Sequence, residues 1–475
     1  MIMVGQIFFG LFGLVVLIAI GWLFSNNRWR VDWKLVVTGV TLQIAFAAFV
    51  LLTSIGQDIF GGIAHGFVRL LDFTKVGASF IFGSMADFEQ MGKAVDTGMQ
   101  MHDGLVADAN GNMVLPSASW ENSGWGKYGF VFAFQVLPTV IFFAAFMGVL
   151  YHLNVMQNIV KGLAWSITKV MRVSGAETTS VCASIFIGQT EAPLTIRPYL
   201  SRMTQSELLT VMIGGMAHIA GGVMAAYVGL LGGEDPVARE FFAKHLLTAS
   251  IMAAPATLVI AKILAPEVDE PLTRGSVKME VEKHAVNVID AAALGAGDGL
   301  KLALNIGAML LAFIALIAMI DAPLQWLGSH EWSNVSGNTI NAWMATHINP
   351  TSSLKLSGIL GIMLAPIAWV IGVPWQDATT VGGLIGTKVI LNEFVAYAEL
   401  SKIKSVLTEH GLLVATYALC GFANIASIAI QIGGIGSLAP DRRADLARFG
   451  LRAVLGGSLA TFMTATIAGV LSRFI

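Results

Sequence analysis

Glu191 and Glu393 each stand in the middle of an otherwise apolar stretch. Glu191 lies in Gly188-Gln189-Thr190-Glu191-Ala192-Pro193-Leu194, and Glu393 lies in Leu391-Asn392-Glu393-Phe394-Val395-Ala396-Tyr397. A charge at membrane depth costs about 2.5–3.5 kcal/mol even on insertion scales, so such an acid is read first as functional. The plainer alternatives are packing ion pairs, Glu191 with Arg197 and Glu393 with Lys388. Two acids in corresponding places, each beside amides or hydroxyls, weigh against that. Downstream, Phe422, Asn424 and Ser427 add an aromatic ring, an amide and a hydroxyl. Asn424 and Ser427 are three residues apart and share one helix face. Such a set is a poor cage for an inorganic ion. It suits a neutral organic solute with several hydroxyls and a flat ring, because carboxylates accept strong hydrogen bonds and a buried ring offers a stacking face.

The chain that must position these groups is apolar. Of its 475 residues 55% are hydrophobic and 12% charged, against about 25% charged in an average soluble protein. Mean hydropathy is +0.73. This excludes a soluble enzyme as the default. A net charge of -2 leaves no polybasic footprint for nucleic acid. The two cysteines, Cys182 and Cys420, exclude a disulfide scaffold and a cysteine-built zinc site. No His-Glu-x-x-His, strand-borne Gly-x-Ser-x-Gly or Walker A loop occurs, which argues against an enzyme and against ATP drive within this chain.

Helix-length apolar runs fall at 6–24, 35–55, 130–151, 208–231, 246–265, 301–320, 354–373, 410–432 and 450–471. None alternates in the manner of a barrel strand, so the pattern predicts an all-α integral membrane bundle. The first run lacks the basic flank of a signal peptide and reads as a span. Arg28, Arg30 and Lys34 place the next loop on the cytoplasmic side. Segment 57–128, with Asp87, Glu89, Asp96, Asp103, Asp108 and Glu121, reads as an outer loop carrying interfacial helices, with turn chemistry at Ala109-Asn110-Gly111-Asn112. Segment 266–290 mixes both signs and reads as a solvated connector whose side is weakly specified.

A repeat organises the rest. Gly215-Met216-Ala217-His218-Ile219-Ala220-Gly221 resembles Gly421-Phe422-Ala423-Asn424-Ile425-Ala426-Ser427. Each copy lies midway in an apolar run, follows an acid-bearing interrupted segment and precedes a closing span. The arms 179–188 and 381–391 are long enough for only half a bilayer. Re-entrant hairpins would put both acids at their tips, where non-helical backbone lines a polar cavity. The division that follows is 1–151 for the N-terminal spans, 152–265 for the first repeat, 266–353 for connector, helix 301–320 and outer loop, and 354–475 for the second repeat.

At these residues the sequence resembles the concentrative nucleoside transporters. Gly188 to Leu194 matches the family's first-hairpin signature and Leu391 to Tyr397 its second. Cys420 to Asn424, with Ser427, matches its late motif. The resemblance is strong from about residue 130 to the end. It implies an inverted repeat, a scaffold and a mobile transport domain, and a homotrimer in a bacterial inner membrane. It further implies cation-coupled import of nucleosides such as uridine, cytidine and adenosine by an elevator motion, with no cofactor.

By resemblance Gly188, Gln189, Thr190 and Glu191 face the nucleobase, Phe422 lies against it and Val223 lines the pocket. Glu393, Asn424 and Ser427 hold the ribose. Run 354–373 becomes a transport-domain helix whose repeat partner is 157–172. The family's sodium position maps to Ser184, Ile187, His218 and Ile219. Ser184 stands where many members carry an asparagine, and His218 where they carry a hydroxyl. A hard cation prefers oxygen, and imidazole titrates near neutrality, so the reading leans to a proton over sodium. Segment 94–126 is longer than the family's bacterial core needs.

Overall fold

A computed structural model describes residues 2–86, 106–107, 113–114, 131–233, 235–273, 285–331, 339–348 and 353–474. Among them the chain is nearly all helix, and seven helices are long and apolar enough to cross a membrane. Three elements at the centre are almost wholly buried: the pair α7 (Gln205–Ala217) and α8 (Gly221–Gly232), α9 (Pro236–Leu264) and α16 (Arg443–Leu471). Around them run α1 (Ile2–Leu23), α2 (Trp33–Leu52), α4 (Leu137–His152) and α10 (Val288–Ser329), which keep most of their apolar surface outward. Lipid is as apolar as leucine, so close approach and buried polar bonds must hold such helices together. Gln43 of α2 supplies one such bond, donating to the Met252 carbonyl of α9 at 3.2 Å and to Thr464 of α16 at 3.0 Å. Small residues supply the approach. Any side chain at Gly295 or Gly299 of α10 would strike the backbone of α4.

The two halves repeat the expected order. In the first, α5 (Val155–Met171) leads to α6 (Gly175–Ser184), a non-helical tip, a return arm at 192–200, then α7, α8 and α9. In the second, α11 (Leu356–Val370) leads to α12 (Trp375–Ile390), a tip at Leu391-Asn392, α13 (Glu393–Ile403), then α14 (Glu409–Leu419), α15 (Ile425–Leu438) and α16. The predicted partners 157–172 and 354–373 thus hold equivalent places as α5 and α11.

Several boundaries move. The run 354–373 is no span of its own, since α11 has 15 residues and turns by 117° into α12. The helix expected at 301–320 extends over 288–329. The first part of the expected outer loop is one amphipathic helix, α3 (Ser54–Phe82), capped by Thr53 and packed on α2 and α9. Beyond it β1 (Val106–Ala107) pairs antiparallel with β2 (Met113–Val114), bracketing the predicted turn. The acids from 87 to 121, the turn itself and most of 94–126 lie outside the described residues, as does 274–284 of the connector.

The runs 208–231 and 410–432 are each broken at the motif. Gly421 has φ +136°, a backbone open to glycine alone, and packs its α-carbon against the carbonyls of Met216 and Ala217. The two breaks therefore touch. Asn424 caps α15 by accepting from the Ser427 amide at 2.8 Å, a strong N-cap. At the other break Ala220 has no capping side chain, and the Gly221 amide donates instead to the Phe186 carbonyl of the first tip at 3.0 Å. The tip completes the helix start, so tip and break are structurally coupled.

Candidate solute-binding site

Both tips meet the breaks. Gln189 donates from Nε2 to Ser427 Oγ at 3.2 Å, and its Oε1 accepts from Gln431 Nε2 at 3.1 Å. The Ser427 amide is bonded to Asn424, whose Nδ2 donates to Glu393 Oε2 at 3.1 Å. Glu393 Oε1 accepts from the Tyr227 hydroxyl at 2.9 Å. One continuous chain of buried polar groups therefore runs Gln431, Gln189, Ser427, Asn424, Glu393, Tyr227, drawing on the first tip, α15, the second tip and α8. Apart from Oε1 of Gln431, which is buried without a partner among the described residues, the side-chain groups along it are paired with one another. A solute rich in hydroxyls and amide-like edges can enter by exchanging its own hydrogen bonds for these, without leaving buried groups unpaired.

Of the predicted residues, Gln189, Glu393, Asn424 and Ser427 are joined in this way. Val223 is buried on α8 one turn before Tyr227, on the same face. Thr190 packs on α15 at Gly434. Phe422 stands half-buried in the second break. Glu191 lies apart from the chain: its side chain is exposed and folds over Gly188. The alternative pairing of Glu393 with Lys388 does not form. Lys388 is fully buried and donates to the Ala418 carbonyl at 2.9 Å and to Thr461 Oγ1 at 3.3 Å.

Two members of the chain were not foreseen. Gln431 follows Ser427 by four residues on an apolar helix, a spacing that could have revealed it. Tyr227 carries no such signal, as only the folded contact of α8 with α13 brings its hydroxyl to Glu393. Tyr227→Phe removes one bond to a charged acceptor, worth about 1.5–3 kcal/mol. The expected result is a rise of roughly tenfold or more in the solute dissociation constant, read by equilibrium binding to the purified protein.

The ion-coupling candidates gather between the first tip and the first break. Ser184 and Ile219 are buried, and Ser184 Oγ donates to the Ser180 carbonyl at 3.0 Å. Ile187 follows Phe186, whose carbonyl holds Gly221. His218 ends α7, and its Nδ1 lies 2.7 Å from the Gly214 carbonyl. A carbonyl only accepts, so Nδ1 carries the proton and Nε2 of the neutral ring keeps a lone pair. That nitrogen is buried without a hydrogen-bond partner.

A helical membrane bundle whose two repeated halves bring broken helices and hairpin tips to one buried polar chain is built as a solute carrier. The chain belongs to the sodium-dependent nucleoside transporter family. Its residues 12–85 and 245–469 match the family's N-terminal and C-terminal models, and 133–234 match a nucleoside recognition (Gate) model. It is 36% identical to nucleoside permease NupC of Helicobacter pylori over 97% of both chains. It is 39% identical to an uncharacterized transporter of Haemophilus influenzae over 96% of both. Mouse sodium/nucleoside cotransporter 1 is 35% identical over 97% of this chain and 63% of its own length. Among solved structures, CNTnw in an inward-facing substrate-bound state superposes with a TM-score of 0.79 at 38% identity, covering 98% of this chain and 99% of that one. A CNTnw variant in an outward-facing state gives 0.82 at 38% identity, covering all of both chains.

Proposed function

We propose that this chain is a cation-coupled importer of nucleosides in a bacterial inner membrane. The observation that carries the reading is the continuous polar chain from Gln431 to Tyr227, which joins both tips to the second break and to α8. Glu393, Asn424 and Ser427 hold the ribose hydroxyls. Gln189 and Thr190 address the base, beside Phe422 and Val223. Residues 152–265 and 354–475 move together as a transport domain past a scaffold formed by 1–151 and 266–353. The long outward apolar face of α10 suits contact with lipid and with further copies in a homotrimer.

The coupling ion in this reading is a proton, received at Nε2 of His218. Sodium is the second reading, favoured by the family's own description. Either cation would sit at the C-terminal end of α7, where the helix carbonyls carry partial negative charge. Uptake of labelled uridine and adenosine into proteoliposomes tests the substrate class. Accumulation of neither, under any cation gradient, would overturn it.

The direct bond between Gln189 and Ser427 shapes a further expectation. Gln189→Ala should change the ratio of uridine to adenosine affinity, and Ser427→Ala should weaken both. Because the groups touch, the two effects should fail to add by about 0.5–3 kcal/mol in a double-mutant cycle. Strict additivity would separate the base and ribose halves of the site.

A further inference from the structure

Lys388 is fully buried five residues before Glu393, in the last turn of α12, and among the described residues it has no carboxylate within ion-pair distance. A buried ammonium without an anion is costly, so the groups it touches must offset its desolvation. Those groups are the Ala418 carbonyl, at the C-terminal end of α14, and Thr461 of α16. The last carbonyls of α14 would otherwise be orphaned where the helix breaks. Three of the last four have partners here: Thr416 accepts from the Tyr397 hydroxyl at 2.7 Å, Tyr417 from the Cys420 amide at 3.2 Å, and Ala418 from Lys388. The end of a helix carries about half a negative charge, and a cation there is the favourable complement.

We infer that Lys388 is a tethered cation that fastens the second tip to the α14–α15 break and so positions Glu393 and Asn424 for the solute. The first half does this differently. Its tip is fastened to the break by the Phe186 carbonyl, and no lysine reaches the end of α7 among the described residues. On the proposed coupling reading, that end takes its cation from solution. The two halves then differ by one covalent tether, with a cation held by the chain in the second and an exchangeable one in the first. Lys388 is a positioning residue. It reaches the Ala418 carbonyl and touches no group of the polar chain from Gln431 to Tyr227 among its hydrogen-bond partners.

The test uses Lys388→Ala, which opens a space matched by a short alkylammonium ion, and Lys388→Met, which fills that space without charge. Uridine affinity of the full chain should fall roughly tenfold or more in both variants, the loss expected for one charge-assisted contact. Propylammonium should restore Lys388→Ala to within about threefold of the unmodified chain, leave Lys388→Met unrepaired and leave the unmodified chain unchanged. The melting temperature in detergent reads the same site without any solute. Propylammonium should raise it for Lys388→Ala alone. That measurement stands even if the unmodified chain takes up no uridine, so failure of the substrate reading is distinguishable. Uridine affinity unchanged in Lys388→Ala would overturn the inference. So would a melting temperature of Lys388→Ala that propylammonium fails to raise.

Discussion

Glu393→Gln should abolish nearly all uridine transport while the protein still folds. The carboxylate accepts from Tyr227 on one oxygen and from the Asn424 amide on the other. A glutamine offers one acceptor and one donor in the same space. The tyrosine hydroxyl can turn to accept, but Asn424 cannot simply flip, because its Oδ1 already caps α15 through the Ser427 amide. The amide therefore settles with its oxygen toward Asn424 and its nitrogen toward Tyr227, and both contacts survive only as neutral bonds in place of charge-assisted ones. A solute hydroxyl meets the same weaker acceptor. Loss of one charge-assisted bond is worth about 1.5–3 kcal/mol, or roughly tenfold to a hundredfold in affinity. Equilibrium binding of uridine to the purified variant, with its melting temperature as the folding control, gives the answer. Near-normal affinity in a folded Glu393→Gln protein would remove Glu393 from the solute site.

Much of this site is legible in the sequence because membrane burial makes polar residues expensive. Gln189, Glu393, Asn424 and Ser427 are conspicuous where a hydrocarbon setting should hold leucine, and their recurrence after matching apolar arms marks the two halves. Tyr227 is not conspicuous, since a tyrosine on a buried apolar helix reads as packing until its neighbour is known. Lys388 invites the wrong partner for a similar reason. Its nearest acid along the chain is Glu393, but α12 ends before that acid, and the ammonium turns instead to the end of α14. The breaks in the runs 208–231 and 410–432 are hidden from periodicity, because both sides of each break are equally apolar. Only Gly421 and the cap at Asn424 betray the second, and the first is completed by a carbonyl from another segment. The amphipathic helix Ser54–Phe82 falls where interfacial helices are expected, but its length and its start before residue 57 are not legible, because its polar stripe interrupts the apolar run.

Uridine should accumulate in sodium-free vesicles when an inward proton gradient is imposed, and His218→Ser should make accumulation depend on sodium. Nδ1 of His218 is committed to the Gly214 carbonyl, which leaves Nε2 as a buried lone pair at the end of α7. A proton arriving there creates a cation where the helix end is already negative. That cation draws together the end of α7 and the tip carrying Ser184 and Ile187, whose neighbour Phe186 already holds the start of α8 through Gly221. The first tip bears Gln189, so its closure completes the polar chain of the proposed solute site. An ion that binds the closed arrangement better than the open one must shift the population toward it, and by reciprocity the solute tightens the ion. A serine at this position replaces a nitrogen lone pair by a hydroxyl oxygen, a better ligand for a hard cation and a poorer base at neutral pH. The variant should therefore lose its response to the pH gradient and gain one to sodium. The measurement is uridine accumulation with the two gradients imposed separately, for the unmodified chain and for His218→Ser. Accumulation by the unmodified chain that needs sodium and ignores the pH gradient would eliminate the proton reading and leave His218 as a packing residue beside an oxygen-lined sodium site.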